Sequence, residues 1–274
     1  MSYTLEDIKE LRELMGAGIK DCKDALNASG GDKEKAKVIL REKGAAKAEK
    51  KSVRQAQEGA CYLHIAADKK SAVLVEVSCE TDFVARSEPF NAFLKDVATA
   101  TLENKITDLE TLNKTKMGVH DSVEEGRSAT VLQVGENVQI KRIKYIASDS
   151  GFFTGYQHGQ SIAVAVETSL DNEEAAKNIA MHIAAISPIS ISESEIPAEV
   201  MAQEKAIYMS QLKDSGKPEA ILDKIVGGKL KKFAAGLCLY GQAYVKEPKQ
   251  TVKEYCDSQK GIQVLRFERY ALGE

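Results

Sequence analysis

Two glycine-bearing segments contain the residue types that bind phosphate groups. The first, GAGIKD (16–21), has a G-x-G but lacks the third glycine of a dinucleotide loop, and it follows a helical pattern rather than a strand. The second, SGKPE (215–219), joins glycine to lysine without the upstream glycine or the following Ser or Thr of a phosphate-binding loop. Neither segment therefore predicts a nucleotide site.

The histidines and cysteines do not follow a catalytic or metal-binding pattern. His64, His120, His158 and His182 are far apart in the sequence, and the five cysteines contain no C-x-x-C pair. The sequence also lacks G-x-S-x-G and H-E-x-x-H. We therefore expect no active site, no metal and no cofactor. Scattered cysteines in odd number favour reduced thiols in the cytoplasm.

An aromatic residue in a connecting segment is the positive clue. SCETDFVARSEPF (78–90) lies between a run of alternating valines and a helical pattern, where a connection should be small and polar. It nevertheless carries Phe83 directly behind Asp82. Two interpretations stay open for Phe83: a satellite core residue that caps the junction, or an aromatic anchor for a partner. His158, flanked by glycines in GYQHGQ, is either an ordinary turn residue or a contact residue.

Length and charge exclude several protein classes. The chain has 274 residues, a formal net charge of -3 and a sequence pI of about 6.0, so a strongly basic nucleic-acid reader is excluded. No apolar run approaches about 18 residues, and the N-terminus lacks the apolar core of a secretory signal. We therefore expect neither a membrane span nor secretion.

The first 45 residues have the helical spacing of a small three-helix bundle. Gly16 is expected to end the first helix, Asp32 to cap the third, and Gly44 to end the third. The segment 41–54 is predicted to be a solvated basic linker with some helix content, with a contact for an acidic surface or for RNA as the alternative. Its cations are Arg41, Lys43, Lys47, Lys50, Lys51 and Arg54.

From Gly59 onward the hydrophobic period changes from helical to two. A hairpin followed by a helix is predicted near 60–101, and the same order recurs near 139–187, where Asn172 caps the helix. This recurrence indicates an internal duplication of an α+β unit.

The last third of the chain contains a different pattern. Two helices between 198 and 232, turned by DSGKPE (214–219), are predicted to form an antiparallel hairpin. Strand-like AGLCLY (235–240), a short helix near 251–256 and strand-like IQVLRFERY (262–270) follow.

These patterns predict an α+β protein with three parts. A three-helix domain with the basic linker occupies 1–56, and a core N-subdomain occupies 57–138. A core C-subdomain occupies 139–274, with the helical hairpin inserted at about 190–230. The two subdomains are predicted to be related antiparallel sheets with helices.

Six segments carry a resemblance to a known family. The chain resembles elongation factor Ts in segments that occur in the family's order across nearly the whole length. They are LRELMGAGIKDCKDAL, VSCETDFVARSEPF, GYQHG, MHIAAISP, SGKPEAILDKIVGGKLKKF and GQAYVKEPKQTV. The resemblance implies a guanine nucleotide exchange factor with no active site of its own. It also implies that the N-terminal domain is like a ubiquitin-associated domain.

The resemblance further implies a partner and contact residues. The partner is elongation factor Tu, in its GDP-bound and nucleotide-free forms. A wedge is implied near the partner's magnesium and phosphate site, and further contacts with its GTPase domain and with a distal β-domain. The wedge residues are Thr81, Asp82, Phe83 and Val84; the GTPase-domain contacts are Arg12, Ile19, Lys20 and Lys23; the distal contacts are His158, Val245 and Lys246.

The chain departs from the family pattern at three of these positions. Many members have methionine where this chain has Ile19, Lys20 and Lys246. The extra C-terminal helix of some members is expected to be absent. Direct nucleic-acid or membrane contact is not expected. The helical hairpin is either a dimer interface or a monomeric arm, and an RNA- or ribosome-associated module using 41–54 stays the alternative function.

Overall fold

The computed structural model describes residues 3–212 and 218–274. Helices and short sheets both occur, so the predicted α+β class is confirmed. The chain divides into two units: Met1–Ser148 with Gln157–Ala163 and Tyr270–Glu274, and Asp149–Tyr156 with Val164–Arg269. The predicted boundaries after residues 56 and 138 stay predictions. No helix in the described ranges is long and apolar enough to cross a membrane.

Three helices open the first unit: α1 (Leu5–Met15), α2 (Ile19–Ala28) and α3 (Lys33–Lys51). Gly16 ends α1 in the left-handed conformation, as predicted, with φ of 61°. Asp32 caps α3 by accepting a hydrogen bond from the Lys35 backbone N at 3.1 Å. The helices bury a small apolar core of Leu11, Ala17, Cys22, Leu26 and Leu40.

A three-stranded antiparallel sheet follows, with order β1-β2-β3. Its strands are β1 (Glu58–Ile65), β2 (Ser71–Cys79) and β3 (Val138–Ala147). The helices between β2 and β3 are α4 (Asp82–Ala85), α5 (Glu88–Glu103), α6 (Leu109–Lys114) and α7 (Val123–Val134). The predicted hairpin and the helix after it are confirmed as β1, β2 and α5. Phe90 and Val97 of α5 pack with Val75 of β2 in one fully buried core.

The prediction that the third helix ends at Gly44 is wrong, because α3 continues to Lys51. Gly44 is buried against α7, and a Cβ atom there would lie 3.2 Å from the Ser128 carbonyl oxygen. A side chain here would push against the α7 backbone, so glycine suits the close approach of the two helices. The basic segment is therefore helical over residues 41–51, which is more helix than the partial content predicted for it.

The last residues of the chain belong to the first unit. Glu76 is 4% exposed, and its carboxylate accepts a hydrogen bond from Arg142 Nε at 2.5 Å and one from the Gly273 backbone N at 3.2 Å. Arg142 also donates to the Ala271 carbonyl at 2.8 Å and lies 4.0 Å from the centroid of the Tyr270 ring. We call this set of contacts the Glu76 clasp.

The remaining elements are β4 (Phe152–His158), β5 (Ile162–Thr168), α8 (Glu173–Ile186), α9 (Ala198–Leu212), α10 (Glu219–Leu237), β6 (Ala243–Tyr244), β7 (Glu247–Thr251), α11 (Val252–Ser258) and β8 (Val264–Ala271). A second sheet has the order β4-β5-β8, and β6 pairs with β7. Asn172 caps α8, as predicted, by accepting from the Ala175 backbone N at 3.2 Å. Strand, strand and helix thus recur in the order of β1, β2 and α5, but from β4 onward rather than from residue 139, because the strand predicted near 139 is β3 of the first sheet.

The segment after α8 is more helical than its sequence pattern indicates. The predicted strand AGLCLY is wrong, because α10 continues to Leu237 and a 3-10 turn covers Leu239–Gly241. Helices α9 and α10 contact each other. Most of the predicted turn DSGKPE, residues 214–217, lies outside the described residues.

Candidate functional site

The segment TDFV forms a one-turn helix that exposes its aromatic residue. Thr81 is the N-cap of α4, and its hydroxyl accepts a hydrogen bond from the Val84 backbone N at 3.4 Å. Asp82 occupies the first turn, where a carboxylate favours the helix N-terminus. Phe83 is 82% exposed. The interpretation of Phe83 as a satellite core residue is therefore wrong.

A glutamate on the turn before β3 braces the start of α4. The Thr81 backbone N donates to Glu136 Oε2 at 3.0 Å, and the Thr81 hydroxyl donates to Glu136 Oε1 at 2.8 Å. The neighbouring Glu80 carboxylate accepts from the Asn137 backbone N at 2.7 Å. Glu80 and Thr81 are thus hydrogen-bonded to Asn137 and Glu136, respectively, on the turn before β3.

The other end of α4 is held equally firmly. Ala85 is buried, and its carbonyl accepts hydrogen bonds from Asn91 Nδ2 at 3.0 Å and from Gln160 Nε2 at 3.1 Å. Val84 is half-buried and packs against the core of the first unit. Because both ends of α4 are fixed, Phe83 is presented to solvent without a large ordering cost on binding.

The thiol next to this segment is not a candidate nucleophile. Burial, together with the nearby Glu136 carboxylate, raises the pKa of the Cys79 thiol to about 12. The Cys79 Sγ donates to the Thr81 carbonyl at 3.1 Å. Cys79 therefore acts as a buried hydrogen-bond donor beneath α4.

The predicted N-terminal contacts all lie on the surface of α1 and α2. Arg12, Lys20 and Lys23 are exposed, and Ile19 is 59% exposed. Leu14 is also exposed, and sequence reasoning missed it. The available signal was the helical wheel, on which Leu14 lies about 90° from the centre of the core face formed by Ile8, Leu11 and Met15. The surface combines apolar area with positive charge.

The predicted distal contacts lie in different units, and each is described by itself. His158 is exposed at the end of β4, in the first unit. Val245 is 40% exposed and Lys246 is exposed in the turn between β6 and β7, in the second unit. The Lys246 Nζ donates to Asn178 Oδ1 on α8 at 2.6 Å. Whether the three residues form one patch stays a prediction.

Several cations of the basic segment are engaged within the chain. Lys43 and Lys47 both contact the Asp21 carboxylate, at 2.6 and 3.0 Å. Arg41 Nε lies 2.8 Å from Glu125, and Arg54 lies 3.5 Å from Glu80. These pairs leave less free charge for an external polyanion than the sequence suggested. In the described ranges, no group of three or more potential ligands is arranged to hold a metal ion.

Comparisons with known proteins agree with the resemblance found in the sequence. Residues 80–274 match the family model described as Elongation factor TS. Elongation factor Ts of Methylococcus capsulatus is 42% identical over 274 residues, which is 100% of this chain and 93% of the relative. Elongation factor Ts of Xanthomonas oryzae pv. oryzae is 44% identical over 276 residues, with the same coverage. That of Alkalilimnicola ehrlichii is 43% identical over 274 residues, again with 100% and 93% coverage.

Proposed function

The chain belongs to the elongation factor Ts family, and from that premise we propose that it is a guanine nucleotide exchange factor for elongation factor Tu. It binds the GDP-bound GTPase, opens the phosphate site and releases GDP, after which GTP binds. It performs no chemistry on the nucleotide itself. The observation that carries the proposal is the exposed Phe83 on its braced one-turn helix.

Phe83 is the wedge of the proposed mechanism. Transfer of its ring into an apolar pocket of the GTPase gains about 1.5–3 kcal/mol. That gain offsets the displacement of partner elements that hold Mg²⁺ against the β-phosphate. Loss of the metal's ligands weakens nucleotide binding. Thr81, Asp82 and Val84 support the ring, by the contacts described for Thr81 and Val84.

The coupling between nucleotide and factor is reciprocal. If the factor weakens GDP binding by a given ratio, GDP weakens factor binding by the same ratio. The protein therefore accelerates exchange in both directions, and the nucleotide concentrations set the net direction.

Two further contact sets hold the GTPase while the wedge acts. Arg12, Ile19, Lys20 and Lys23 contact the GTPase domain; His158, Val245 and Lys246 contact a distal β-domain. Ile19 supplies apolar area in place of methionine, and Lys20 contributes the apolar part of its stem. Exposure of all seven residues supports this assignment.

The ion pairs of 41–54 favour the exchange factor over an RNA- or ribosome-associated module. Such a module requires unpaired cations and gives a steep salt dependence of RNA binding. Filter binding to ribosomal RNA at low and high salt separates the two functions. The cytoplasmic location stays a prediction, as does the role of α9 and α10 as a dimer interface or a monomeric arm.

Stopped-flow release of a fluorescent GDP from elongation factor Tu tests the proposal. Wild-type protein is expected to accelerate release, and Phe83→Ala to reduce the acceleration about tenfold or more while still forming the complex. Val119→Ala removes a similarly exposed apolar side chain between α6 and α7, outside the predicted contact sets, and serves as the control. Equal acceleration of GDP release by wild type and Phe83→Ala would rule out the wedge role of Phe83. No acceleration by wild type would remove the exchange-factor proposal itself.

A further inference from the structure

A buried histidine holds the turn that carries Val245 and Lys246. His182 of α8 is 0% exposed. Its Nδ1 accepts a hydrogen bond from the Val245 backbone N at 3.2 Å, and its Nε2 lies 2.9 Å from Gln242 Oε1. Gln242 Nε2 in turn donates to the Gly236 carbonyl at 2.8 Å. These contacts form one continuous chain of hydrogen bonds.

The direction of every bond in this chain is fixed by its ends. The Val245 backbone N–H is a donor, so His182 Nδ1 carries a lone pair and Nε2 carries the proton. The Gln242 amide donates to the Gly236 carbonyl, so its oxygen is the end that accepts from Nε2. The imidazole is therefore neutral, in the Nε2–H tautomer. Burial lowers the pKa of His182, in keeping with a neutral ring.

The neighbouring turn residue is tied to the same face of α8. Asn178 lies one helical turn before His182, and its Oδ1 accepts from Lys246 Nζ at 2.6 Å. Asn178 Nδ2 donates to the Tyr255 hydroxyl at 3.0 Å, and the Tyr255 ring stacks on Tyr244 at 4.3 Å between centroids. Consecutive residues 245 and 246 are thus anchored by α8 residues spaced i and i+4.

We propose that His182 is a positioning residue that fixes the backbone at Val245 and so presents Val245 and Lys246 to the partner. The contact with elongation factor Tu in this inference rests on the proposed function. The placement of the turn in the free protein does not depend on the proposed function. The opposing explanation is that His182 merely fills space in the core of the second unit.

Two substitutions separate positioning from packing. His182→Asn keeps an acceptor near Nδ1, whereas His182→Gln keeps a donor near Nε2 and is closer to histidine in volume. If His182 positions the turn, the affinity of His182→Asn for elongation factor Tu should stay within about twofold of wild type. The affinity of His182→Gln should fall about threefold to tenfold. Packing predicts the reverse order, because the smaller Asn leaves the larger cavity. The reverse order, or equal losses, would overturn the proposal.

Two measurements on the free protein keep the test independent of the partner. Hydrogen exchange at the Val245 amide is expected to accelerate about threefold to tenfold in His182→Gln and to stay near wild type in His182→Asn. Imidazole ¹⁵N spectra of the wild type are expected to show the Nε2–H tautomer; the Nδ1–H tautomer would overturn the proposal even if both variants failed to fold. A wild type that fails to bind the GTPase but shows the expected hydrogen-exchange pattern would rule out only the proposed function.

Discussion

Glu136 accepts two hydrogen bonds from Thr81, one from its backbone N at 3.0 Å and one from its hydroxyl at 2.8 Å. The two residues are 55 positions apart and join the turn before β3 to the N-cap of α4. Because the next residues are Asp82 and Phe83, this contact determines where the exposed ring is held.

Glu136→Ala is expected to slow nucleotide exchange. The substitution removes both oxygens that accept from Thr81, so both hydrogen bonds are lost, at a cost of about 1–3 kcal/mol. We expect exchange activity to fall about fivefold or more in the fluorescent GDP assay. Glu110→Ala, on the exposed surface of α6, is the control. Activity equal to that control would show that Phe83 needs no brace.

Arg142→Met is expected to destabilise the first unit. It leaves the Glu76 carboxylate buried without its cation, and removal of one partner from a buried pair costs about 3 kcal/mol. Urea unfolding followed by circular dichroism measures the free energy of unfolding. Lys141→Met, on the neighbouring exposed position of β3, should change it by less than about 0.5 kcal/mol. Equal effects of the two variants would mean that the Glu76 clasp is energetically neutral.

His182 is expected to make stability depend on pH. Its pKa is lowered from 6.5 in the folded state by burial, so the unfolded chain binds the proton more tightly. This contribution to stability is fully present above about pH 6.5 and is lost as pH falls toward the folded-state pKa. The free energy of unfolding should therefore change less with pH in His182→Asn than in wild type. The measurement covers about pH 5 to 8, the range in which histidine titrates. An unchanged slope in the variant would assign the dependence to other groups.

Cys79 is expected to resist alkylation in the folded protein. Burial raises its pKa to about 12, so almost no thiolate is present near neutral pH. Iodoacetamide labelling followed by peptide mass spectrometry should modify Cys79 only after denaturation. Cys256, whose pKa burial raises to about 11, should behave alike. Rapid labelling of native Cys79 would mean that α4 opens frequently and would contradict the braced presentation of Phe83.

Local patterns in the sequence predicted much of the fold. Alternating valines and helical spacing identified β2 and α5, and the side chain of Asn172 was correctly expected to cap α8. Each of these signals acts within a few residues, and at these elements no tertiary contact overrides it. The predicted contact residues Arg12 and Lys23 are also on the surface, although their roles stay predictions.

The features that sequence reasoning missed depend on distant residues. Gly44 has the sequence signature of a helix end, but its role is set by α7, more than 80 positions away. The brace by Glu136 likewise joins residues that no periodic pattern relates. The exposure of Phe83 could not be decided from its neighbours alone, because it depends on how α4 is held at both ends.

The Glu76 clasp also has a consequence for biosynthesis. Gly273 donates to Glu76 across 197 positions, and Ala271 accepts from Arg142. A nascent chain that has emerged only as far as β3 has both charged side chains but neither of these backbone partners. The first unit therefore completes its native contacts only after residues 270–274 have left the ribosomal exit tunnel, and contacts of such long sequence separation form late. For this unit, synthesis of Val164–Arg269 of the second unit therefore precedes the end of folding.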